Sequence, residues 1–188
     1  MKGFQQLKSE VIDCELCTRC GTCIGVCPVD TLAYADGEVK DVNGQCVKCG
    51  ACNAVCPGKE FSMAEWSKTL FGRGYDSARL FGNYQGIYNG CPKDDGIRTA
   101  GSSGGMVTYI LKVLLEEGWI DGAAAVREKQ DEPYRFEPFI ATDREQILSA
   151  AQSKYVIIPV NQVIREIRQS KRRIAYVGLP CQIHGMRK

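Results

Sequence analysis

Cys17-Thr-Arg-Cys20-Gly-Thr-Cys23-Ile-Gly-Val-Cys27-Pro28 and Cys46-Val-Lys-Cys49-Gly-Ala-Cys52-Asn-Ala-Val-Cys56-Pro57 are two copies of one pattern. Laid on each other at an offset of 29 residues, Cys17 on Cys46, every cysteine, the closing proline and the central glycine coincide. Each copy is C-x2-C-x2-C-x3-C-P. In that spacing three thiolates converge on one cubane [4Fe–4S] cluster and the fourth is sent to the neighbouring cluster. The crossed pattern predicts Cys17, Cys20, Cys23 and Cys56 as ligands of a first cluster, and Cys27, Cys46, Cys49 and Cys52 as ligands of a second. A tight loop rather than a helix is expected in each run. Gly21 and Gly50 take up backbone angles other residues resist, and Pro28 and Pro57 stop the chain turning back into the ligand loop.

The rest of the composition supports that use of the cysteines. Nine of the eleven lie between Cys14 and Cys56 in a chain of 188 residues, which marks a domain boundary near residue 58. The start Met1-Lys2-Gly3-Phe4-Gln5-Gln6 lacks the apolar stretch and cleavage site of a secretory signal, so a framework of structural disulfides is not expected. Zinc sites usually pair two C-x2-C knuckles, and two identical four-cysteine runs closed by proline favour iron and sulfide instead. Cys14 offers a slipped register with Cys17 and Cys20, but the Cys23-x3-Cys27-Pro28 ending argues for the repeat, and Cys14 is taken as a spare thiol. With 24 basic and 22 acidic side chains, no charge excess points to nucleic acid. No apolar run approaches the roughly 20 residues needed to span a bilayer. A cytoplasmic location, peripheral to a membrane complex at most, is expected.

Between the runs, Thr31 to Lys40 alternates and turns at Asp36-Gly37, the pattern of a short hairpin. Over residues 13–60 this pseudo-twofold arrangement resembles the bacterial two-cluster ferredoxin, which implies an α+β fold for residues 1–58. Residues 59–90 carry aromatics and glycines without clear periodicity and are expected to connect, packed over the next domain. From residue 91 to 188 the pattern is α/β. Met106 to Gly118 has an apolar helical stripe ended by glycine, and Ile120 to Val126 is a buried strand. Arg135 to Thr142 is an edge strand because of Pro138. Thr142-Asp-Arg-Glu145 is a capping box opening a helix through Ala151. Val156 to Val160 is a strand, Asn161 to Ser170 an amphipathic helix, Ile174 to Gly178 a strand, and a helix begins after it.

Two segments of this second domain look chemical. Gly101-Ser102-Ser103-Gly104-Gly105 stands directly before a helix, where small residues leave N–H donors open to a phosphate or carboxylate. Gly178-Leu-Pro-Cys181-Gln182 turns from strand to helix with a cysteine near the helix start, a position that suits a ligand or a nucleophile, with His184 three residues on as the base a nucleophile would need.

Together with Asp121-Gly122 and Ser153-Lys154-Tyr155, these segments resemble the family of coenzyme F420 hydrogenase/dehydrogenase beta subunits, over nearly the whole chain. The resemblance implies an FAD-binding iron–sulfur protein that exchanges a hydride with the deazaflavin coenzyme F420 and works with redox partner subunits of a larger oxidoreductase complex. Carried over by position, Ser102, Ser103, Gly104 and Gly105 contact flavin phosphate or ribityl groups, Lys154 sits near the flavin, and Gly178 and Cys181 lie at its edge. Some members carry an additional cluster, so Cys181 is alternatively a ligand. A beta subunit of the formate-dehydrogenase type and a ferredoxin-like carrier without substrate chemistry are the other readings. The family core normally continues well beyond the Gly-Leu-Pro-Cys-Gln turn, so a C-terminally truncated flavin-binding domain is expected.

Overall fold

The computed structural model describes residues 3–188. Helix α1, Phe4–Leu7, runs on into a π-helical turn, Lys8–Ile12, whose inner face buries Phe4, Leu7 and Val11. These three pack with Ile24, Leu32, Val39, Cys23 and Cys52 into one small core. So few apolar residues make a thin core, and the half-buried thiols of Cys17, Cys27, Cys46 and Cys56 lie against it. Strands β1, Leu32–Ala35, and β2, Glu38–Asp41, pair antiparallel with Leu32 opposite Asp41 and Ala35 opposite Glu38. The turn residues Asp36 and Gly37 both have positive φ, 51° and 84°, which matches the twist a two-residue hairpin needs.

The cysteine runs fold alike, and each holds a helical turn where a loop alone was expected. Gly21 (φ 86°) and Gly50 (φ 81°) are left-handed, and each is followed by one turn of helix: α2, Thr22–Gly25, and α3, Ala51–Ala54. The glycine bends the chain sharply enough for the next residues to close a helical turn. A proline two residues beyond Val26 and Val55 then prevents its continuation.

The second unit contains α4, Met63–Phe71; α5, Asp95–Ala100; α6, Met106–Glu116; β3, Gly122–Glu128; β4, Phe136–Ala141; α7, Arg144–Ser149; a 3₁₀ turn, Val160–Val163; α8, Ile164–Gln169; β5, Ile174–Tyr176; and α9, Pro180–Arg187. The sheet order is β4-β3-β5. β3 and β4 are antiparallel, with Val126 opposite Pro138, and β3 and β5 are parallel, with Ala123 opposite Ala175. Pro138 thus lies on an edge strand, the place where its missing N–H costs least. The fold is mixed α/β with an N-terminal ferredoxin-like unit.

Three local expectations change. The segment 59–90 contains helix α4, started by Ser62, whose hydroxyl accepts from the Glu65 N–H at 3.3 Å, and ended by left-handed Gly72. Helix α7 is capped by Asp143, not Thr142. The Asp143 carboxylate accepts from the Gln146 N–H at 2.8 Å, the Gln146 side chain accepts from the Thr142 N–H at 2.9 Å, and the helix stops at Ser149. The apolar run Val156 to Val160 is not a strand. Ile158 and Val160 are buried, but Val160 opens the 3₁₀ turn, which packs between α2 and β4, and Ile158 lines a cleft of the second unit, so their burial is achieved without sheet pairing.

That 3₁₀ turn is the main seam between the units. The Asn161 N–H donates to the Cys20 carbonyl at 2.9 Å, and a Cβ added to Gly25 would stand 2.3 Å from the Asn161 carbonyl oxygen. Such an approach is open only to glycine. Arg165 adds an ion pair to Asp30 at 2.7 Å and donates to the Ile24 carbonyl at 3.2 Å.

Candidate cluster cavities and the adjoining cleft

Because both cysteine runs wrap the same small core, their thiols gather in crossed groups. Cys17, Cys20, Cys23 and Cys56 line one cavity together with Leu7, Val11 and Gly58. Cys27, Cys46, Cys49 and Cys52 line a second together with Gly3, Phe4 and Leu32. In each, three thiols come from one run and the fourth from the other. Among the described residues no three His, Cys, Asp or Glu side chains are placed to hold a single metal ion.

Burial pushes the thiols of Cys17, Cys23, Cys52 and Cys56 above their ordinary range, most strongly at Cys23. Left to themselves they stay protonated, and a cation seated among them would take the protons' place. The sulfurs have donors nearby. The Phe4 N–H points to Cys46 Sγ at 3.4 Å, Asn53 Nδ2 to Cys52 Sγ at 3.7 Å, and the Thr22 hydroxyl lies 3.2 Å from Cys20 Sγ. A sulfur-only donor set, buried or half-buried except at the exposed Cys49 and furnished with hydrogen-bond donors, fits iron–sulfur clusters.

The other cysteines lie apart. Cys14 is exposed, with its thiol toward the Ser9 carbonyl at 3.3 Å, and Cys91 is exposed. Cys181 lines neither four-thiol cavity. It lies instead on the wall of a cleft of about 500 Å³ between β3, α6, α7 and the start of α9, with Lys154, Gly178 and Gln182. Thr18, from the first cysteine run, belongs both to this cleft and to the Cys17/Cys20/Cys23/Cys56 cavity, so one residue's thickness separates the two.

A second lobe of about 350 Å³ continues the cleft along α6 and shares Val107, Thr108, Gln152, Ser153 and Val177 with it. Ser102, Ser103 and Gly105 line this lobe. The loop is tied across it, since the Ser102 hydroxyl accepts from the Ser153 N–H at 3.1 Å. Gly104 and Gly105 are left-handed, and Gly105 caps α6 with no side chain bonded to its first N–H groups. Gly104 lines neither lobe. Lys154 is on the wall, but its ammonium donates to the carbonyls of Ala150 (2.8 Å), Ala151 and Gln152 (3.0 Å). All three donors are engaged at the end of α7, and burial lowers its pKa. His184 stacks on Phe61 with ring centres 3.5 Å apart, and burial lowers its pKa also.

Four residues at or beside the site carry no motif in the sequence: Thr18, Thr22, Asn161, and Tyr176, whose hydroxyl donates to Asn161 Oδ1. For Thr22 a signal existed, since the two cysteine runs differ there: Thr22 stands against Ala51 and Gly25 against Ala54. Those differences fall where the second unit docks.

Comparison with family models matches residues 87–165 to "Coenzyme F420 hydrogenase/dehydrogenase, beta subunit N-term" and residues 9–57 to "4Fe-4S dicluster domain". The chain is 34% identical over 180 residues to the coenzyme F420-dependent sulfite reductase of Methanocaldococcus jannaschii, covering 96% of this chain and 26% of that one. It is 30% identical over 186 residues to a subunit of the F(420)H(2) dehydrogenase of Methanosarcina mazei, covering 95% and 50%. The chain therefore spans about a quarter to a half of the length of these curated relatives. Among solved structures it is similar to a chain of the xenon-derivatised F420-reducing [NiFe] hydrogenase complex from Methanosarcina barkeri. Identity is 32%, coverage 52% of this chain and 34% of that one, and the TM-score 0.48.

Proposed function

Since residues 87–165 belong to the family of coenzyme F420 hydrogenase/dehydrogenase beta subunits, behind a 4Fe-4S dicluster domain at residues 9–57, we propose that the chain is an iron–sulfur flavoprotein that links coenzyme F420 to a redox partner. In this reading Cys17, Cys20, Cys23 and Cys56 hold a first [4Fe–4S] cluster, and Cys27, Cys46, Cys49 and Cys52 a second. The cleft holds FAD. The names of the two curated relatives, an F420-dependent reductase and part of an F420H2 dehydrogenase, support F420 as the hydride partner. Partner subunits of an oxidoreductase complex would take or supply the single electrons. Among the described residues no helix is long and apolar enough to cross a membrane.

The observation that carries this reading is the shared wall at Thr18. A cleft large enough for a flavin ring abuts the cavity of one four-cysteine group and not the other. Bound FAD supplies the exchange between an electron pair carried as hydride and single electrons. The chain's own residues bind and orient it. The uncapped N–H groups at the start of α6, beside Ser102 and Ser103, suit the phosphates. Ala124, Ala125, Val126, Leu111 and Ile158 give the inner lobe dry walls for an aromatic ring system. Lys154 acts here as a clamp on the end of α7, which holds the Gln152-Ser153 wall in place, and its ammonium is not the group that meets the ligand.

The test is anaerobic reconstitution of the chain with iron, sulfide and FAD, followed by addition of reduced F420. Retention of flavin through gel filtration, with F420-dependent bleaching of flavin and cluster absorbance, is the expected result. Two clusters' worth of iron with no retained flavin would sink the hydride-transfer reading and leave a ferredoxin-like carrier. Bleaching by formate or NADH but not by reduced F420 would assign a different hydride partner.

A further inference from the structure

Asn161 is fully buried and uses every polar atom it has. Its backbone N–H donates to the Cys20 carbonyl at 2.9 Å, and its side-chain Oδ1 accepts from the Tyr176 hydroxyl. Its Nδ2 donates to the Gln182 carbonyl and to the Thr22 hydroxyl oxygen, both at 2.8 Å. A backbone carbonyl only accepts, so the amide nitrogen must face Gln182, and the same nitrogen then gives its other proton to Thr22. Thr22, itself 1% exposed, is left with its own proton and one remaining neighbour, Cys20 Sγ at 3.2 Å. The hydrogen bond therefore runs from Thr22 to the sulfur. It ends a chain that begins at Gln182, on the wall of the cleft, and crosses from the second unit into the first.

We propose that Thr22, oriented by Asn161, is a positioning residue that raises the reduction potential of the first cluster through its hydrogen bond to the Cys20 sulfur. This rests on the reading of Cys20 as a cluster ligand. A cluster takes up one electron with no bond made or broken, and the added negative charge is spread over its sulfurs, ligand sulfurs included. A donor held against one of them stabilises the reduced form more than the oxidised form, and hydrogen bonds to the sulfurs are among the determinants of cluster potential. Burial strengthens the effect, because little water competes for the charge. The second cysteine run provides an internal contrast. Ala51 stands in Thr22's place and has no hydroxyl, and the donors near that cavity, the Phe4 N–H and Asn53 Nδ2, both come from the first unit. Among the described residues, this coupling to the unit that contains the cleft reaches the first cluster's cysteines and not the second's.

The experiment is an EPR-monitored redox titration of the full chain, reconstituted anaerobically and poised with dithionite and mediator dyes. The first cluster's signal is identified as the one lost in Cys56→Ala. Thr22→Val keeps the shape and removes the hydroxyl. It is expected to shift the first cluster's reduction equilibrium about tenfold toward the oxidised form, ~59 mV more negative for one electron, and to leave the second cluster unmoved. Thr22→Ser should restore the wild-type midpoint. If the valine variant does not assemble, Thr22→Ala, which carries the residue natural to the second run, gives the same readout. An unmoved first midpoint with both clusters assembled overturns the inference alone, as does an equal shift of both midpoints. A wild-type chain that fails to assemble two clusters overturns the cluster reading and the inference with it.

Discussion

Cys56 closes the second cysteine run, yet its thiol faces the cavity of the first. That displacement makes it the sharpest single-residue test of the crossed assignment. Cys56→Ala leaves three thiols around one cavity and four around the other. The variant should lose one of two cluster signals, retain the other, and bind about half the wild-type iron. Iron and sulfide analysis with EPR of the reduced protein checks this, and two intact clusters in the variant would mean that the ligand sets are drawn wrongly. The crossed grouping of the eight thiols was legible because their spacing is itself the constraint that a cluster imposes. Asn161 was not, because it belongs to no spacing pattern, and Thr22 was marked only as a mismatch between the two runs. Their roles become visible only when residues 139 apart in sequence meet across a seam.

At the scale of elements, what the sequence could announce was what its own periodicity and local chemistry decide. The hairpin at Asp36-Gly37, helix α6 and the edge strand β4 all follow from alternation, stripe or proline placement. The run Val156 to Val160 has no such internal arbiter. Short apolar runs serve strand, turn or helix equally, and here the deciding partner is α2 of the other unit. Helix α4 was missed despite a usable sign, Ser62-x-x-Glu65 with glycine at position 72, which is a start and stop signal around one helix length. The one-residue shift at α7 is informative in energetic terms. Since the Asp143 carboxylate, and not the Thr142 hydroxyl, accepts the Gln146 N–H, Asp143→Ala should cost about 1 kcal/mol, and Thr142→Ala should stay within about 0.5 kcal/mol of wild type. Chemical denaturation of the two variants side by side checks the assignment, and an equal or larger loss at Thr142 would return the cap to that residue.

At the scale of the whole molecule, a chain with a repeated ligand motif has been built into an unsymmetrical device. Gly21 and Gly50 have nearly the same backbone angles, and α2 and α3 are the same length. Their surroundings differ: the Val160–Val163 turn and α9 press on α2, whereas α1 packs against α3. The sequence records this as Gly25 against Ala54. A methyl group at 54 is tolerated, while one at 25 would stand 2.3 Å from the Asn161 carbonyl oxygen and 2.8 Å from Ile164 Cβ. Gly25→Ala must therefore push the second unit off the first cysteine run, at a cost of about 1–3 kcal/mol by analogy with overpacked cores. The two clusters should then part company in lability. On exposure to an iron chelator, the signal of the Cys17/Cys20/Cys23/Cys56 cluster should decay faster than in wild type, because the seam that shields Cys20 has opened. The Cys27/Cys46/Cys49/Cys52 cluster, whose cavity is lined among the described residues by the first unit, should decay at the wild-type rate. Equal acceleration of both would mean that the two clusters share one cooperative fold so tightly that the seam has no separate influence. No acceleration of either would mean that docking of the second unit does not protect the first cluster.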